Sequence, residues 1–244
     1  MTYLNTEGSP VAVPFVGNYT EEKIKKVMQI LKEDFAGFDA QLIIMDVVPW
    51  MLPYYEASGI QFEIEDNRDY MDYTFTPEQF LAGMDMQDDR YRYNYFKRRF
   101  AYETEEITPF HREEIREFME REWCGEKTCE ECHCGCLLRV IDNLVPVFDK
   151  IRINGILVRV EGKMAGLCIV SCRNGLGVYQ YKNAVNRIKG INEYLLRESF
   201  ERYLQSADTI NYTEDMGVEN LRYYKEHMAP AHTLLSKLTL TERG

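Results

Sequence analysis

From Thr209 to Leu238 the chain sets out a strand, a turn and a helix in close succession. Thr209–Tyr212 is β-forming. Glu214 and Asp215 follow as an acidic turn, and Gly217 supplies a backbone position where positive φ is cheap. A helix-forming segment then carries Arg222 and Lys225, three apart and so on one helix face. Pro230 breaks it, and a Leu/Lys-rich tail follows. Carboxylates are thus fixed at the end of a strand and cations along the next helix. On spacing alone the reading is a capped helix with a solvated ion pair.

Composition bounds the alternatives. The 244 residues are enough for one large core or two small ones. Hydrophobic residues at 45% and charged residues at 28% are globular proportions. A net charge of −11 disfavours non-specific nucleic-acid binding, and so weighs against tRNA as a partner. No apolar run has membrane-spanning length, and no signal-peptide pattern is present. The expected location is the cytoplasm, with the seven cysteines reduced or ligating metal.

Taken in order, Thr20 caps a helix whose Ile24, Val27, Met28, Leu31 and Phe35 form one apolar stripe. Leu42–Val48 is a buried strand, and Phe62–Ile64 and Tyr70–Phe75 are two more. Thr76-Pro77-Glu78 starts a helix. Asp88–Phe100 is a helix rich in Arg and Tyr, either a solvated amphipathic face or a phosphate-contacting one. After Thr108-Pro109 a helix buries Ile115, Phe118, Met119 and Trp123, and a second helical stripe runs from Leu137 to Val145. Turns at Glu161-Gly162-Lys163 and Arg173-Asn174-Gly175 join three antiparallel strands. Gly190–Leu204 is helical. Five cysteines crowd between Cys124 and Cys136. Cys129, Cys132, Cys134 and Cys136 are weak metal candidates, because zinc sites usually pair ligands from separated segments. Exposed thiols are the simpler reading, and any metal there is expected to be dispensable for the fold.

The order Asn211-x-x-Glu214-Asp215-x-Gly217-x-x-x-Leu221-Arg222-x-x-Lys225-x-x-x-x-Pro230, with Lys237 beyond, resembles the C-terminal signature of the phosphatidylglycerol lysyltransferase C-terminal-domain family. Arg68-Asp69-x-x-Asp72-Tyr73 resembles a second signature of that family. Tyr212, Thr213, Asn220 and His227-Met228 depart from the pattern. The resemblance implies an α+β tandem GNAT (acetyltransferase-like) fold with mixed α/β sheets. An N-terminally incomplete first copy over residues 1–105 and a complete second copy over 106–244 are expected.

The same resemblance implies a site. In GNAT enzymes a Gln/Arg-x-x-Gly-x-Gly/Ala segment between strand and helix holds the donor pyrophosphate. Here Arg187-x-x-Gly190-x-Asn192 stands at that place, with a side chain at the last position. Lys182 keeps the cation of the central strand, while Tyr181 replaces the family's acid. The implied donor-binding set is Lys182, Arg187, Gly190, Asn192, Asn211, Arg222 and Lys225, in one cleft with Glu214 and Asp215 as the carboxylates for proton transfer; Tyr223 and Tyr224 read either as donors of a proton to a leaving group or as packing residues. The implied activity is acyl or aminoacyl transfer from acyl-CoA or aminoacyl-tRNA to an amine or hydroxyl. Tyr181, Met84-Asp85 and Asn192 favour the alternative, a non-catalytic ligand-binding protein that kept the fold.

Overall fold

The computed structural model describes residues 2–4, 10–14, 19–36, 41–66, 68–124, 141, 143–151, 153–228 and 233–242. The first half of the chain forms β1 (Thr2–Leu4), β2 (Pro10–Ala12), α1 (Glu21–Asp34), β3 (Ile43–Val47), α2 (Leu52–Glu56), β4 (Phe62–Asp66), β5 (Asp72–Phe75), α3 (Pro77–Met84), α4 (Gln87–Arg99), β6 (Tyr102–Glu106) and α5 (Arg112–Met119). The second forms β7 (Asn154–Val160), β8 (Lys163–Arg173), β9 (Leu176–Ala184), α6 (Ile191–Ser199), β10 (Thr209–Asn211), α7 (Glu219–Met228), β11 (Thr233–Leu235) and β12 (Leu238–Glu242). One sheet runs β1-β2-β3-β12-β4, the other β11-β5-β10-β9-β8-β7-β6. Two compact units result. The first gathers Met1–Tyr73, Glu214–Arg222 and Leu234–Gly244; the second gathers Thr74–Thr213 and Tyr223–Thr233.

In the first unit, the Thr20 hydroxyl accepts the Lys23 N–H at 3.3 Å, and Glu21 and Glu22 sit in the positively polarised first turn of α1. Ile24, Met28 and Leu31 are buried at helical spacing against Ile44, Val47, Tyr55 and Leu240. Val27 and Phe35 flank that core, partly buried. Each such aliphatic side chain contributes roughly 1.5–3 kcal/mol by leaving water. The stretch read as a tail holds a strand: β12 pairs antiparallel with both β3 and β4, setting Leu240 opposite Ile44 and Ile64.

In the second unit, β7, β8 and β9 are consecutive antiparallel strands joined at the two expected turns. Met164–Val170 of β8 is buried without a break, as a central strand covered on both faces requires. The α5 residues Ile115, Phe118 and Met119 are buried as their spacing predicts, and the chain continues as a π turn over Glu120–Cys124. Of the second helical stripe, Ile141 and Val145 are buried; its Leu137 and Val140, the Trp123 side chain, Pro230 and the cysteines from Cys129 to Cys136 lie outside the described residues. The start of α3 is a capping box: Thr76 Oγ1 accepts the Gln79 N–H at 3.3 Å and Gln79 Oε1 accepts the Thr76 N–H at 2.9 Å. Thr76→Ala is therefore expected to cost about 1 kcal/mol, read as a shift of the urea midpoint at unchanged m-value. An unchanged midpoint would show that the box contributes nothing.

Candidate functional site

The central opening of the second unit follows from strand register. β10 runs parallel to β9, with Thr209, Ile210 and Asn211 opposite Leu176, Gly177 and Val178. There β10 ends, while β9 continues to Ala184. From Tyr179 onward this edge of β9 has no strand partner among the described residues. Backbone groups facing such a gap are available to a ligand.

Lys182 lies on that stretch of β9, its Nζ 5.8 Å from the Tyr224 ring centre. Burial pushes the Tyr212 hydroxyl up, and the nearby Lys182 ammonium pulls it back. Lys225 is buried, and its Nζ donates to the Tyr212 carbonyl at 2.6 Å and to Thr213 Oγ1 at 3.3 Å. It secures the backbone just beyond β10. Asn211 does the same locally, its Oδ1 accepting the Thr213 N–H at 2.7 Å.

The expected phosphate segment follows β9. Arg187 is 77% exposed, with Nη1 3.8 Å from Glu122 Oε2. Gly190 is the N-cap of α6, at φ 90° and without a side-chain cap. A Cβ built on Gly190 would stand 2.1 Å from the Arg92 carbonyl oxygen. The close approach that glycine allows here is therefore to the backbone of α4. Asn192 is partly exposed in the first turn of α6. On α4, Phe96 faces inward while Arg90, Arg98 and Arg99 are exposed. Arg92 pairs with Glu193 at 3.3 Å, and Lys97 donates to Tyr93 Oη at 3.1 Å.

The first unit joins the two signatures. Asp215 has a fully buried side chain and accepts five hydrogen bonds: from Arg68 Nη1 at 3.0 Å, Tyr73 Oη at 2.8 Å, Arg222 Nε at 3.0 Å and Nη2 at 2.9 Å, and the Gly217 N–H at 3.0 Å. Burial alone would raise its pKa. Arg222, Tyr73, Gly217 and Arg68 together outweigh burial and hold the carboxyl well below the usual carboxylate range. Arg222 also donates to Asp69 Oδ1 at 2.5 Å, and Asp69 fills the space a Cβ on Gly217 would need. Lys237 Nζ sits 2.8 Å from Asp72 and 3.7 Å from Glu214. Each residue of the Arg68-Asp69-x-x-Asp72-Tyr73 signature thus meets a residue of the later one. As expected, Arg222 pairs with an acidic-turn carboxylate, whereas Lys225 binds a backbone carbonyl instead.

Among the site residues, Glu214, Asp215 and Arg222 belong to the first unit, and Lys182, Arg187, Gly190, Asn192, Asn211 and Lys225 to the second. Among the described residues no group of His, Cys, Asp or Glu is arranged to hold a metal ion, and no helix is long and apolar enough to cross a membrane. Sequence reading passed over Asp89 and Glu193, which come together from α4 and α6. Burial, then the Glu193 carboxylate, push Asp89 up to about 6, against Arg92 and Lys182. The signal lay in two acids on helices otherwise read for their cations.

The mixed sheets and helices of this chain have the fold of GNAT-like proteins. A tandem GNAT protein from the clavulanic acid biosynthesis pathway superposes with TM-score 0.54 at 12% identity, over 96% of this chain and 75% of that one. The chain belongs to the family described as phosphatidylglycerol lysyltransferase, C-terminal, whose model matches residues 3–236. L-PGS from Bacillus licheniformis has the same fold, with TM-score 0.65 and 14% identity over 98% of this chain and 82% of that one. A conserved protein of unknown function from Bacteroides thetaiotaomicron VPI-5482 gives TM-score 0.78 and 25% identity, covering 96% and 80%. No curated protein matches the sequence.

Proposed function

We propose that this protein is a GNAT-like transferase that moves an acyl or aminoacyl group from acyl-CoA or an aminoacyl-tRNA to an amine or hydroxyl acceptor. The observation that carries this reading is the gap that opens where β10 ends and β9 continues to Ala184. Lys182 and exposed Arg187 supply cations for a phosphate-bearing donor, together with the uncapped start of α6. The net charge of −11 makes acyl-CoA the favoured donor over tRNA.

The experiment is a panel of acyl-CoA and aminoacyl-tRNA donors assayed for binding and for transfer. Arg187→Ala is expected to weaken donor affinity about tenfold, the loss of one charge-assisted contact, with melting unchanged because the side chain is exposed. Unchanged affinity for every donor would remove Arg187 from the site. The commitment of Asp215 to five donors favours a second reading, a binding protein without turnover. Donor binding with no transfer to any acceptor would establish it.

A further inference from the structure

Phe110 is 98% exposed. Its backbone is held in place. It sits in a single 3-10 turn, Pro109–His111, between β6 and α5. Pro109 fixes the entry to that turn, and His111 Nδ1 accepts the Thr108 N–H at 3.0 Å. His111 Nε2 lies 3.3 Å from Glu105 Oε2, which ties the turn to β6. The fold therefore holds an aromatic ring out in water and forgoes the roughly 1.5–3 kcal/mol that its burial would contribute.

Next to the ring lies a pocket of about 170 Å³. Pro109 forms one wall, with Ile107, Phe148, Ile153 and Tyr203 as others. Ile107 and Phe148 are core residues, so the pocket reaches down to the apolar interior. An apolar cavity of about 150 Å³ takes up a benzene molecule. The pocket thus suits a phenyl ring in size and in lining, yet Phe110, one residue past its Pro109 wall, points to solvent instead. Charges flank both features. Asp149 lines the pocket and the exposed Lys150 follows it. Behind the ring come Arg112 and Glu113, 3.9 Å apart.

A small apolar ligand would fill the pocket and leave Phe110 in water. A different protein that took up the ring would leave the pocket open. A second copy of this chain satisfies both at once. We propose that this face is a two-fold contact between copies, in which Phe110 of each enters the pocket of the other. Arg112 then approaches Asp149 of the opposite copy, and Glu113 approaches Lys150. An isologous contact of this kind closes at two copies. The two rings remove roughly 300–500 Å² from water, against about 1,200–2,000 Å² for a stable interface. A net charge of −11 also opposes contact between copies. The dimer is accordingly weak, with a dissociation constant of about 100 µM. The inference is independent of the transferase reading.

The test is sedimentation equilibrium of the full chain over about 1–500 µM. The parent is expected to pass reversibly from monomer to dimer. Phe110→Ala removes the ring, and Asn154→Trp, at an exposed position on the pocket lining, fills the socket. Each is expected to weaken association at least about tenfold, with monomer melting unchanged. With p-benzoylphenylalanine in place of Phe110, irradiation of mixed isotope-labelled and unlabelled chains is expected to join position 110 of one copy to residues 148–155 of another. A parent that stays monomeric throughout would overturn the proposal and leave the ring to a different protein. A dimer unmoved by Phe110→Ala, or one lost in Phe110→Ala but kept in Asn154→Trp and cross-linked elsewhere, would overturn it equally.

Discussion

Asp215→Ala should lower the stability of this protein by about 3 kcal/mol, a fall in Tm of roughly 6–12 °C for a chain of this size. The substitution leaves the Arg68 and Arg222 guanidiniums facing a hole and takes the acceptor from the Tyr73 hydroxyl proton and the Gly217 N–H, although the Tyr73 oxygen still accepts from Arg68 Nη2 at 2.7 Å. The lower end of the range for a broken buried pair is expected because Arg68 and Arg222 keep 33% and 32% exposure and regain some water. Asp215→Asn keeps the shape and one acceptor oxygen, so its loss should be smaller. The acid limb gives an independent check. A carboxyl whose folded pKa is depressed contributes stability fully above its unfolded value, near 4, and loses it as pH falls through the folded one. Parent and Asp215→Asn melting curves should therefore converge as pH drops below about 4. Equal melting of parent and Asp215→Ala at pH 7 would show that the cluster is dispensable for folding.

Gly190→Ala should be at least as severe, with a cost above about 3 kcal/mol and most of the protein insoluble. Two costs add. The residue sits at φ 90°, where a Cβ is strained, and that Cβ would be 2.1 Å from the Arg92 carbonyl oxygen. Backbone in a packed helix cannot swing aside as a side-chain tip can. Asn192→Ala, two residues on and partly exposed, should stay within about 0.5 kcal/mol of the parent. Soluble yield and melting temperature of the two variants decide the matter. A Gly190→Ala protein that melts normally yet loses donor binding would show that the glycine serves a ligand and not the α4–α6 contact.

The parts legible in the sequence were those whose cause is local. Thr76 and Gln79 announce a helix start within four residues, and Glu161-Gly162-Lys163 announces a hairpin. Both signatures around Asp215 could be read, yet not that they close on each other, because Arg68 and Asp215 meet only through tertiary structure. Lys225 was grouped with Arg222 by helical spacing. Only the fold distinguishes a cation that finds a carboxylate from one that finds the Tyr212 carbonyl. Asp89 and Glu193 escaped for the same reason: their significance is their proximity, and each alone is an ordinary helix-start acid. β12 was hidden because Leu238-Thr239-Leu240-Thr241 is too short a period-two run to stand out beside a helix.

The place of β12 sets the order in which this chain becomes a folded protein. β3 and β4 are not hydrogen-bonded to each other; each pairs with β12, which lies between them. During synthesis residues 43–47 and 62–66 wait for residues 238–242, with the whole second unit made in between. Until then each of these strands offers an open edge, the kind of template other chains add to. Late closure of so long a loop makes for slow folding of the first unit and a need for protection while it waits. Apolar β12 residues such as Leu240 are therefore guards against aggregation as much as members of a core.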